Sequence, residues 1–412
     1  MGTRNIHFIF ATQYLKRFTM KRLLAIIAVI IGLGTITQET KAQSSTTGAN
    51  TIATGVPFLT IAPDSRGGAM GDVGAATSAD INSQHWNPSK YAFIESEMGV
   101  GLSYTPWLRN LVDDINLAYL VGYKKIDDVQ TVSSSLRYFS LGDIVFMSEF
   151  GQQLATKNPN EFAFDVAYTR LLSDNFSGSV ALRFIRSDLT SGFTGDGSES
   201  FPGNSYAADI SFFYRNEFRV NRKESVFTAG INISNIGAKI SYNEGATKDF
   251  IPTNLRLGLG YQTEMDSYNT IAFYADINKL LVPTPNAVDL TNVGDDDVIG
   301  GSGFSSDKSV IGGMFSSFGD APGGFKEELQ EVSVAIGAEY MYNEQFALRA
   351  GYFYEHENKG NRKFLTAGAG LKLNVFALDF SYLVPTERNH PLENTLRFSL
   401  SFDIDAFNQQ RR

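Results

Sequence analysis

The chain of 412 residues contains no cysteine, four histidines and two tryptophans. The absence of cysteine excludes disulfides, thiol catalysis and thiolate metal sites, and it fits an exported bacterial chain without oxidative cross-links. Charged residues are also scarce, at 19%, below the roughly 25% of an average soluble domain. The net charge of -9 argues against a nucleic-acid partner, because sequence-independent binding of nucleic acid needs a basic face.

Long apolar runs are nearly absent, and the one that occurs lies near the N-terminus. The run LLAIIAVIIGL (Leu23–Leu33) follows a short basic stretch at residues 20–22, and residues 40–42 (TKA) place small side chains where a signal peptidase reads them. The run is about half the roughly 20 residues that a membrane-spanning helix needs. We therefore interpret residues 20–42 as a cleaved secretory signal peptide and residues 1–19 as an over-extended start.

What the chain has in abundance is a period-2 alternation of apolar and polar residues. It is clear in NTLRFSLSF (Asn394–Phe402), VFALDFSYLV (Val375–Val384) and TNLRLGLGYQ (Thr253–Gln262). Because successive side chains of a strand point to opposite faces, each segment has one apolar face and one polar or small face. About fourteen such segments, each near the length of an outer-membrane strand, predict a transmembrane antiparallel β-barrel. They begin near Glu97, Asp114, Thr131, Phe162, Phe176, Tyr206, Val226, Thr253, Thr270, Val332, Phe346, Phe364, Val375 and Asn394.

A soluble β-sandwich would show the same alternation, but other features favour the membrane barrel. Charges on the polar faces suit a water-filled lumen, and several apolar faces end in Tyr or Phe, as an interfacial girdle would. The connections also alternate in length. Lys125–Gln130 and Asn343–Gln345 are short, whereas Leu141–Glu161 and Lys279–Glu331 are long. Outer-membrane barrels have short periplasmic turns and longer extracellular loops, so this rhythm supports a barrel.

The predicted domains follow from these patterns. Residues 43–95 form an N-terminal segment, residues 96–403 the barrel and residues 404–412 a periplasmic tail. An even number of strands with both ends on the short-turn side predicts that both termini are periplasmic and that the long loops are extracellular.

The stretch RGGAMGDVGAATSADINSQHWNPSK (Arg66–Lys90) is rich in Gly and Ala. Glycines so spaced can close backbone N–H groups around a phosphate, but such a loop follows a strand, opens a helix and carries Gly-Lys-Ser/Thr. No strand precedes Gly67, no Gly-Lys-Ser/Thr occurs, and the region is acidic at Asp64, Asp72 and Asp80. Gly and Ala keep a backbone thin, and fourteen strands enclose more space than their own side chains fill, so we expect a hatch inside the lumen. The predicted hatch residues are Arg66, Gly67, Gly68, Gly71, Gly74, Trp86, Asn87 and Pro88.

The residues FLTIAPDSRGGAMGDVGAATSADINSQHWNPSKYAF (Phe58–Phe93), running into the barrel, resemble the PorV family of outer-membrane components of type IX secretion. That family is itself similar to the FadL family of transporters for hydrophobic compounds. The shared elements are the hatch and an Asn-Pro step before the first strand, here Asn87-Pro88. The Arg-Gly-Gly-Ala-Met-Gly run and the Trp-Asn-Pro-Ser step are the specific part.

The resemblance implies a non-enzymatic protein in the outer membrane of a Gram-negative bacterium. Such a protein accepts the C-terminal signal domain of exported cargo beside the translocon barrel and shuttles it to the cell-surface attachment complex. The implied partners are the cargo signal domain, the translocon barrel, the attachment complex and outer-membrane lipid. The alternative is a FadL-like transporter of hydrophobic small molecules.

Aromatic residues in glycine-rich loops are the other candidate site. Ser187–Ser205 and Lys279–Glu331 place phenylalanines among Gly and polar residues. They either cap the barrel's own opening or bind the translocon or cargo, since binding hot spots favour aromatics. The candidate partner-binding residues are Phe193, Phe201, Phe304, Phe315 and Phe318.

Residues for catalysis or metal binding form no recognisable pattern. His85, His356 and His390 lie outside any nucleophile signature such as Gly-x-Ser-x-Gly, so an outer-membrane hydrolase is a distant third hypothesis. The acidic run at residues 295–297 lacks the EF-hand spacing for calcium. We expect no catalytic residue, no cofactor and no metal.

The signal-peptide interpretation makes a direct prediction. N-terminal sequencing of the protein recovered from outer membranes should begin at Gln43, because processing after Ala42 removes the whole apolar run. A mature N-terminus that retains Leu23–Leu33 would contradict it.

Overall fold

The computed structural model describes residues 50–109, 112, 114–147, 150–189, 201–243, 248–285, 308–387 and 390–410. The predicted start (1–19) and signal peptide (20–42) lie outside these residues. So do Phe193, Phe304 and the acidic run at residues 295–297. In the described part of the chain, no helix combines the length and the apolar character needed to cross a membrane.

Fourteen of the strands form one closed antiparallel barrel, and two further strands form a separate hairpin. The barrel strands are β1 (Met98–Pro106), β2 (Asn116–Lys125), β3 (Gln130–Ser140), β6 (Asn160–Ser173), β7 (Phe176–Asp188), β8 (Gly203–Val220), β9 (Lys223–Gly237), β10 (Asn254–Asp266), β11 (Asn269–Leu280), β12 (Val332–Tyr342), β13 (Phe346–Tyr354), β14 (Lys363–Lys372), β15 (Phe376–Pro385) and β16 (Thr395–Asp403), and the hairpin strands are β4 (Ile144–Met147) and β5 (Gln153–Lys157).

Pairing of the first and last strands closes the ring. In β1 and β16, Val100 lies opposite Phe402 and Tyr104 opposite Phe398. Closure is required because hydrocarbon offers no hydrogen-bond partner to an open strand edge. The predicted fold, an antiparallel membrane barrel of about fourteen strands, is confirmed.

The predicted strand starts agree with the observed ones to within three residues, as for Glu97 against Met98 and Val226 against Lys223. The prediction for one region was wrong. The segment Leu141–Glu161, expected to be a loop, contains the hairpin β4–β5. Four consecutive apolar residues, Ile144–Met147, form β4, so the region has no alternation by which it could have been recognised.

The predicted alternation of faces is borne out along the strands. In β10, Leu257, Leu259 and Tyr261 are exposed on the outside, whereas Gly258 and Gly260 are buried on the inside. Aromatic pairs occur near both edges of the outer apolar surface. Tyr268 and Tyr342 lie 6.5 Å apart at one edge. Phe184 and Tyr206 lie 5.3 Å apart at the other.

The two ends of the barrel differ in their connections. At one end six turns of two to four residues join the strands in pairs, from β2–β3 to β14–β15. At the opposite end lie the long connections, and we call their described parts the mouth. The mouth comprises the connections within residues 107–115, 141–159, 189–202, 238–253, 281–331, 355–362 and 386–394, including the hairpin, the helices Val310–Ser316 and Phe325–Gln330, and the 3-10 turn Glu357–Lys359.

The described chain begins at the mouth. The Asn50 Nδ2 donates to the Pro285 carbonyl (3.2 Å) and to Glu327 Oε1 (2.9 Å), and the Gly55 N–H donates to the Phe250 carbonyl (2.9 Å). From there the chain runs to the short-turn end, where β1 starts. On the way it forms short helical segments at Pro57–Thr60, Ser65–Ala69, Ser83–Trp86 and Pro88–Phe93.

The chain leaves the barrel at the short-turn end. The last helix, Ile404–Gln410, follows β16 directly, and Asp405 Oδ2 accepts a hydrogen bond from the Met98 N–H (2.9 Å) at the start of β1. The barrel therefore begins and ends at its short-turn end, whereas residues 50–97 run its length from the mouth. The periplasmic placement of both termini stays a prediction. Residues 43–49 lie outside the description.

The outward face of the strands predicts a position-dependent cost for charge. Leu182 is exposed at the middle of β7. The substitution Leu182→Arg should lower the free energy of unfolding by about 2–4 kcal/mol, because the charge would meet hydrocarbon. Leu172, exposed near the short-turn edge of β6, is the matched control, and Leu172→Arg should cost about 0–1 kcal/mol. Urea titration of folding into lipid vesicles measures both, and equal costs would contradict the membrane placement.

Candidate functional site

The segment from residue 50 to residue 97 makes hydrogen bonds to strands on all sides of the ring. Ser65 bonds Ser399 on β16, Gln84 bonds Asp165 on β6, and Gly71 bonds Thr366 on β14. Because its partners surround it, the segment lies inside the barrel. We call it the luminal segment.

The glycine-rich stretch uses its backbone N–H groups for a carboxylate of the barrel itself. The N–H groups of Gly74 and Ala75 both donate to Asp276 Oδ2, at 2.7 and 2.9 Å. Asp276 is fully buried on β11. Gly74 and Ala75 thus use their backbone N–H groups as a phosphate loop would, but the group they bind is a carboxyl side chain of the same protein.

Arg66 joins the luminal segment to β12. Its guanidinium donates to both oxygens of Glu339, at 3.1 and 2.8 Å, and to Asp80 Oδ2 at 2.8 Å. Glu339 also accepts from Arg349 Nε at 2.6 Å, its opposite residue on β13. Removing one member of such a buried network leaves the others uncompensated, which typically costs about 3–5 kcal/mol.

Trp86 packs against two of the predicted hatch glycines. A Cβ atom on Gly74 would lie 2.2 Å from Trp86 Cδ2, and one on Gly67 would lie 2.5 Å from Trp86 Cζ2. The indole Nε1 donates to Asp64 Oδ1 (2.6 Å), and Asp64 Oδ2 caps the helix Ser65–Ala69 through the Gly67 N–H. The guanidinium of Arg256 lies 4.6 Å from the indole centroid.

The Asn-Pro step connects several elements. Asn87 Nδ2 donates to the carbonyls of Ala75 (2.9 Å) and Phe212 (3.0 Å). Pro88 begins the 3-10 helix Pro88–Phe93, and its carbonyl accepts from Thr169 Oγ1 (3.0 Å). The step thus ties two parts of the luminal segment to β8 and β6.

The glycines on the inner face of the barrel were not recognised as contact positions in the sequence. A Cβ atom on Gly351 would lie 2.0 Å from the Met70 carbonyl carbon, and one on Gly230 would lie 2.0 Å from the Ala75 oxygen. These positions have no side chain because the backbone of the luminal segment occupies that space. Glycine on the polar face of a predicted strand was the sequence signal that could have indicated contact with the luminal segment.

The inward charges belong to packed networks, which corrects the expectation of a water-filled lumen where they lie. Arg183 donates to Asp165 Oδ2 at 3.2 Å and to Asp209 Oδ2 at 2.8 Å, and all three side chains are buried. Gln84 of the luminal segment bonds the same Asp165. Buried charges are retained in proteins only when they are paired and hydrogen-bonded in this way.

A second network lies at the mouth. Lys279 Nζ contacts Glu331 Oε2 at 2.6 Å and Glu328 Oε2 at 3.1 Å. Lys359 contacts Glu327 Oε1 at 2.5 Å and Glu331 Oε1 at 3.1 Å. Burial alone would raise the pKa of Glu327, but hydrogen bonds from Lys359, the Gly323 N–H and Asn50 outweigh it and lower that pKa. The network fixes the helix Phe325–Gln330 to β11 and to the start of the described chain.

The candidate partner-binding residues that the structure describes lie on one sector of the mouth. Phe315 and Phe318 are 76% and 55% exposed, and Phe201 is also exposed. The helix Val310–Ser316 packs on Phe250 through Gly313, and the Phe201 N–H donates to the Tyr242 carbonyl (2.9 Å). Both contacts are with the β9–β10 connection. Their role as partner-binding residues stays a prediction.

The hairpin β4–β5 adds apolar surface that the sequence analysis missed. Ile144, Val145, Met147 and Leu154 are exposed, and Phe150 at the hairpin turn is 89% exposed. An isolated two-stranded hairpin is marginally stable in water, and its edges are open to another strand.

Each histidine of the predicted mature chain has a hydrogen-bond partner. The Nδ1 of His356 accepts from the Asn358 N–H, and the Nδ1 of His390 accepts from the Leu392 N–H. His85 contacts Arg137 in the lumen. These histidines share no hydrogen bond with one another among the described residues, and no group of at least three metal-ligating residues was found there.

A cavity of about 420 Å³ lies between the luminal segment and the mouth connections. Its floor includes the buried Phe364, Leu383 and Arg397, and its rim includes the exposed Gly360 and Pro391. It is thus neither wholly apolar nor wholly polar.

A family model described as "Type IX secretion system protein PorV" matches residues 44–287, more than half of the chain. The chain belongs to the PorV family. The predicted resemblance is therefore confirmed. The match includes the luminal segment and the strands up to β11. No curated protein matches the chain.

Several solved outer-membrane proteins are similar in structure at low sequence identity. The Pseudomonas putida toluene transporter TodX is 12% identical, with a TM-score of 0.47, covering 86% of this chain and 99% of its own. A Pseudomonas aeruginosa FadL homologue is 11% identical, with a TM-score of 0.39, covering 86% and 100%. LpxR from Salmonella typhimurium is 9% identical, with a TM-score of 0.31, covering 74% and 99%. None of these likenesses assigns a ligand or an activity to this chain.

Membership of the PorV family places the protein in the type IX secretion system and, with the barrel fold, in the outer membrane. The family indicates a non-enzymatic role and partners within that secretion system.

The Trp86 contacts predict the effect of small substitutions in the luminal segment. Gly74→Ala should destabilise its packing by about 1–3 kcal/mol, because the new methyl group would overlap the indole, and trypsin should then cut faster after Arg66 and Lys90. Gly319→Ala at the mouth is the control, since a Cβ atom there meets nothing within 4 Å. Equal digestion rates for the two variants would show that Trp86 is not packed as described.

Proposed function

We propose that the protein binds the C-terminal signal domain of exported cargo at its mouth and carries the cargo from the translocon barrel to the cell-surface attachment complex. In this arrangement the mouth faces the cell exterior, and the helix Ile404–Gln410 faces the periplasm. The protein performs no covalent chemistry and needs neither a cofactor nor a metal.

The observation that carries the proposal is apolar surface at the mouth, beyond the ends of the barrel strands. Phe315, Phe325 and Phe150 are 76%, 78% and 89% exposed, and none belongs to a barrel strand. Exposed aromatics on loops are an aggregation hazard unless they meet a partner. Two groups of such residues, one on the helical connection and one on the hairpin, fit binding of other proteins through buried aromatic hot spots.

The rigid support of the mouth favours recognition over passage of solutes. The Lys279 and Lys359 ion pairs hold the helix Phe325–Gln330, so its exposed face is preorganised, which reduces the entropy lost on binding. Beneath it, the luminal segment fills the barrel with buried ion pairs such as Arg66–Glu339.

A FadL-like transporter remains the second hypothesis, and the cavity beside the luminal segment is the observation in its favour. Transport would require the luminal segment to move. Such movement would break the Asp276 hydrogen bonds to Gly74 and Ala75 and the Arg66 network together. Because transport would have to break all of these contacts, we favour the shuttle over the transporter.

The test is capture of the translocon from solubilised outer membranes. The double variant Phe315→Ser/Phe318→Ser should insert normally but recover at least tenfold less translocon, since each lost hot-spot aromatic typically costs about 2 kcal/mol or more. The hairpin variant Phe150→Ser tests the second group in the same way.

Phe346→Ser is the matched control, because Phe346 is 55% exposed, like Phe318, but begins β13 at the opposite end of the barrel. Insertion is checked by heat-dependent mobility in gels. Capture by the mouth variants at the level of Phe346→Ser would contradict the proposal. Loss of growth on hydrophobic nutrients in a deletion strain, with cargo secretion intact, would favour transport.

A further inference from the structure

The cavity at the mouth contains a buried cation with too few partners. Arg397 on β16 is 1% exposed. Its Nη1 donates to the Gly68 carbonyl at a long 3.4 Å, and its Nη2 lies 3.6 Å from Asp72 Oδ1. Its Nε has no hydrogen-bond partner among the described residues. A guanidinium offers five N–H donors, and leaving buried donors unpaired is costly, so an anionic ligand would be stabilised here.

The same cavity contains buried acceptors that also lack hydrogen-bond partners. Asp72 Oδ1, beside Arg397, and Asn361 Oδ1, nearer the rim, accept no hydrogen bond from the described residues. Asp72 lies in the luminal segment and Asn361 in the β13–β14 connection, so two separate parts of the chain present acceptors to one space. A ligand that satisfied this site would need hydrogen-bond donors, such as amide N–H groups, as well as a negative group.

The remaining walls are mainly apolar, with Thr60, Arg362 and His390 as further polar lining residues. Ile61, Trp107, Phe364, Leu383 and Leu392 surround the polar groups. The volume of about 420 Å³ falls in the range of about 300–1,000 Å³ for small-ligand sites. It therefore admits the end of a chain and not a folded domain.

The end of a polypeptide chain supplies the whole set. Its terminal carboxylate pairs with a guanidinium, its last amide N–H groups are donors, and its last side chains meet the apolar walls. A fatty acid has the carboxylate and the apolar chain but no N–H donors, so it would leave Asp72 Oδ1 and Asn361 Oδ1 without a hydrogen bond.

We propose that this cavity binds the free C-terminal carboxylate of the cargo's signal domain. Arg397 receives the carboxylate, and Asp72 and Asn361 accept hydrogen bonds from the last amide N–H groups. This inference rests on the proposed function, and it adds that the site reads the very end of the cargo chain, so a tail added after the last residue blocks recognition.

The test compares two forms of one type IX cargo signal domain by calorimetry on the purified full-chain protein. One form ends in its native carboxylate, and the other carries a short Gly-Ser extension. The extension should weaken binding at least tenfold, because charge-assisted hydrogen bonds to the carboxylate are lost. A carboxamide end should have a similar effect.

Variants assign the effect to the cavity. Asn361→Gly should weaken binding of the native end about fivefold through loss of one hydrogen bond, and glycine tolerates the φ of 56° at this position. Asn343→Gly, with a φ of 51° at a short turn of the opposite end, is the matched control and should change nothing. Arg397→Gln should abolish the difference between the two forms of the domain. If that variant does not fold, Asn361→Gly still tests whether the cavity binds the end of the chain.

The fluorescence of Trp107 independently tests whether the ligand lies in the cavity. It is one of two tryptophans in the chain, and it lines the cavity, whereas Trp86 is buried in the luminal segment. A tryptophan-free peptide with the last residues of the domain should change the emission of the protein, and its carboxamide should not.

The outcomes separate the two proposals. Equal binding of the native and extended domains would overturn the chain-end site while leaving the shuttle intact. No binding of either domain would overturn both. If dodecanoate binds more tightly than the peptide, and Asn361→Gly alters neither, the cavity serves lipid-like carboxylates and the assignment to a peptide end is wrong.

Discussion

The structure depends on one constraint: inside hydrocarbon, every backbone N–H and C=O of a strand must find its partner within the protein. Pairing of β1 with β16 meets that constraint by closing the ring. The strand number then has a second consequence. Fourteen strands enclose a lumen too wide for the barrel's own side chains to fill, so the space must hold water or another segment. Here it holds residues 50–97.

The luminal segment and the inner wall are complementary because each supplies what the other lacks. The wall contributes carboxylates such as Asp276, and the segment contributes the N–H groups of Gly74 and Ala75. Where the segment's backbone comes closest, as at Met70, the wall has the glycine Gly351. These contacts hold the segment along the barrel, beneath the connections of the mouth.

The sequence was sufficient for the barrel, because alternation is a local property. The pattern of Asn394–Phe402 already placed Arg397 on the polar face, where the structure finds it buried in the lumen. It could not reveal the partner of Gly74, since Asp276 lies 202 positions away and any inward acid would have fitted the pattern. The hairpin β4–β5 was missed for a similar reason, because it leaves no periodic signal.

The central claim is that the protein works through its mouth while its lumen stays closed, and electrical recording in a planar lipid bilayer tests it most directly. With the luminal segment packed from the mouth to β1, the purified full-length barrel should insert without steady ion conductance. Stable open-channel currents from the unmodified protein would contradict this, because they would show a water-filled path where the structure has buried ion pairs.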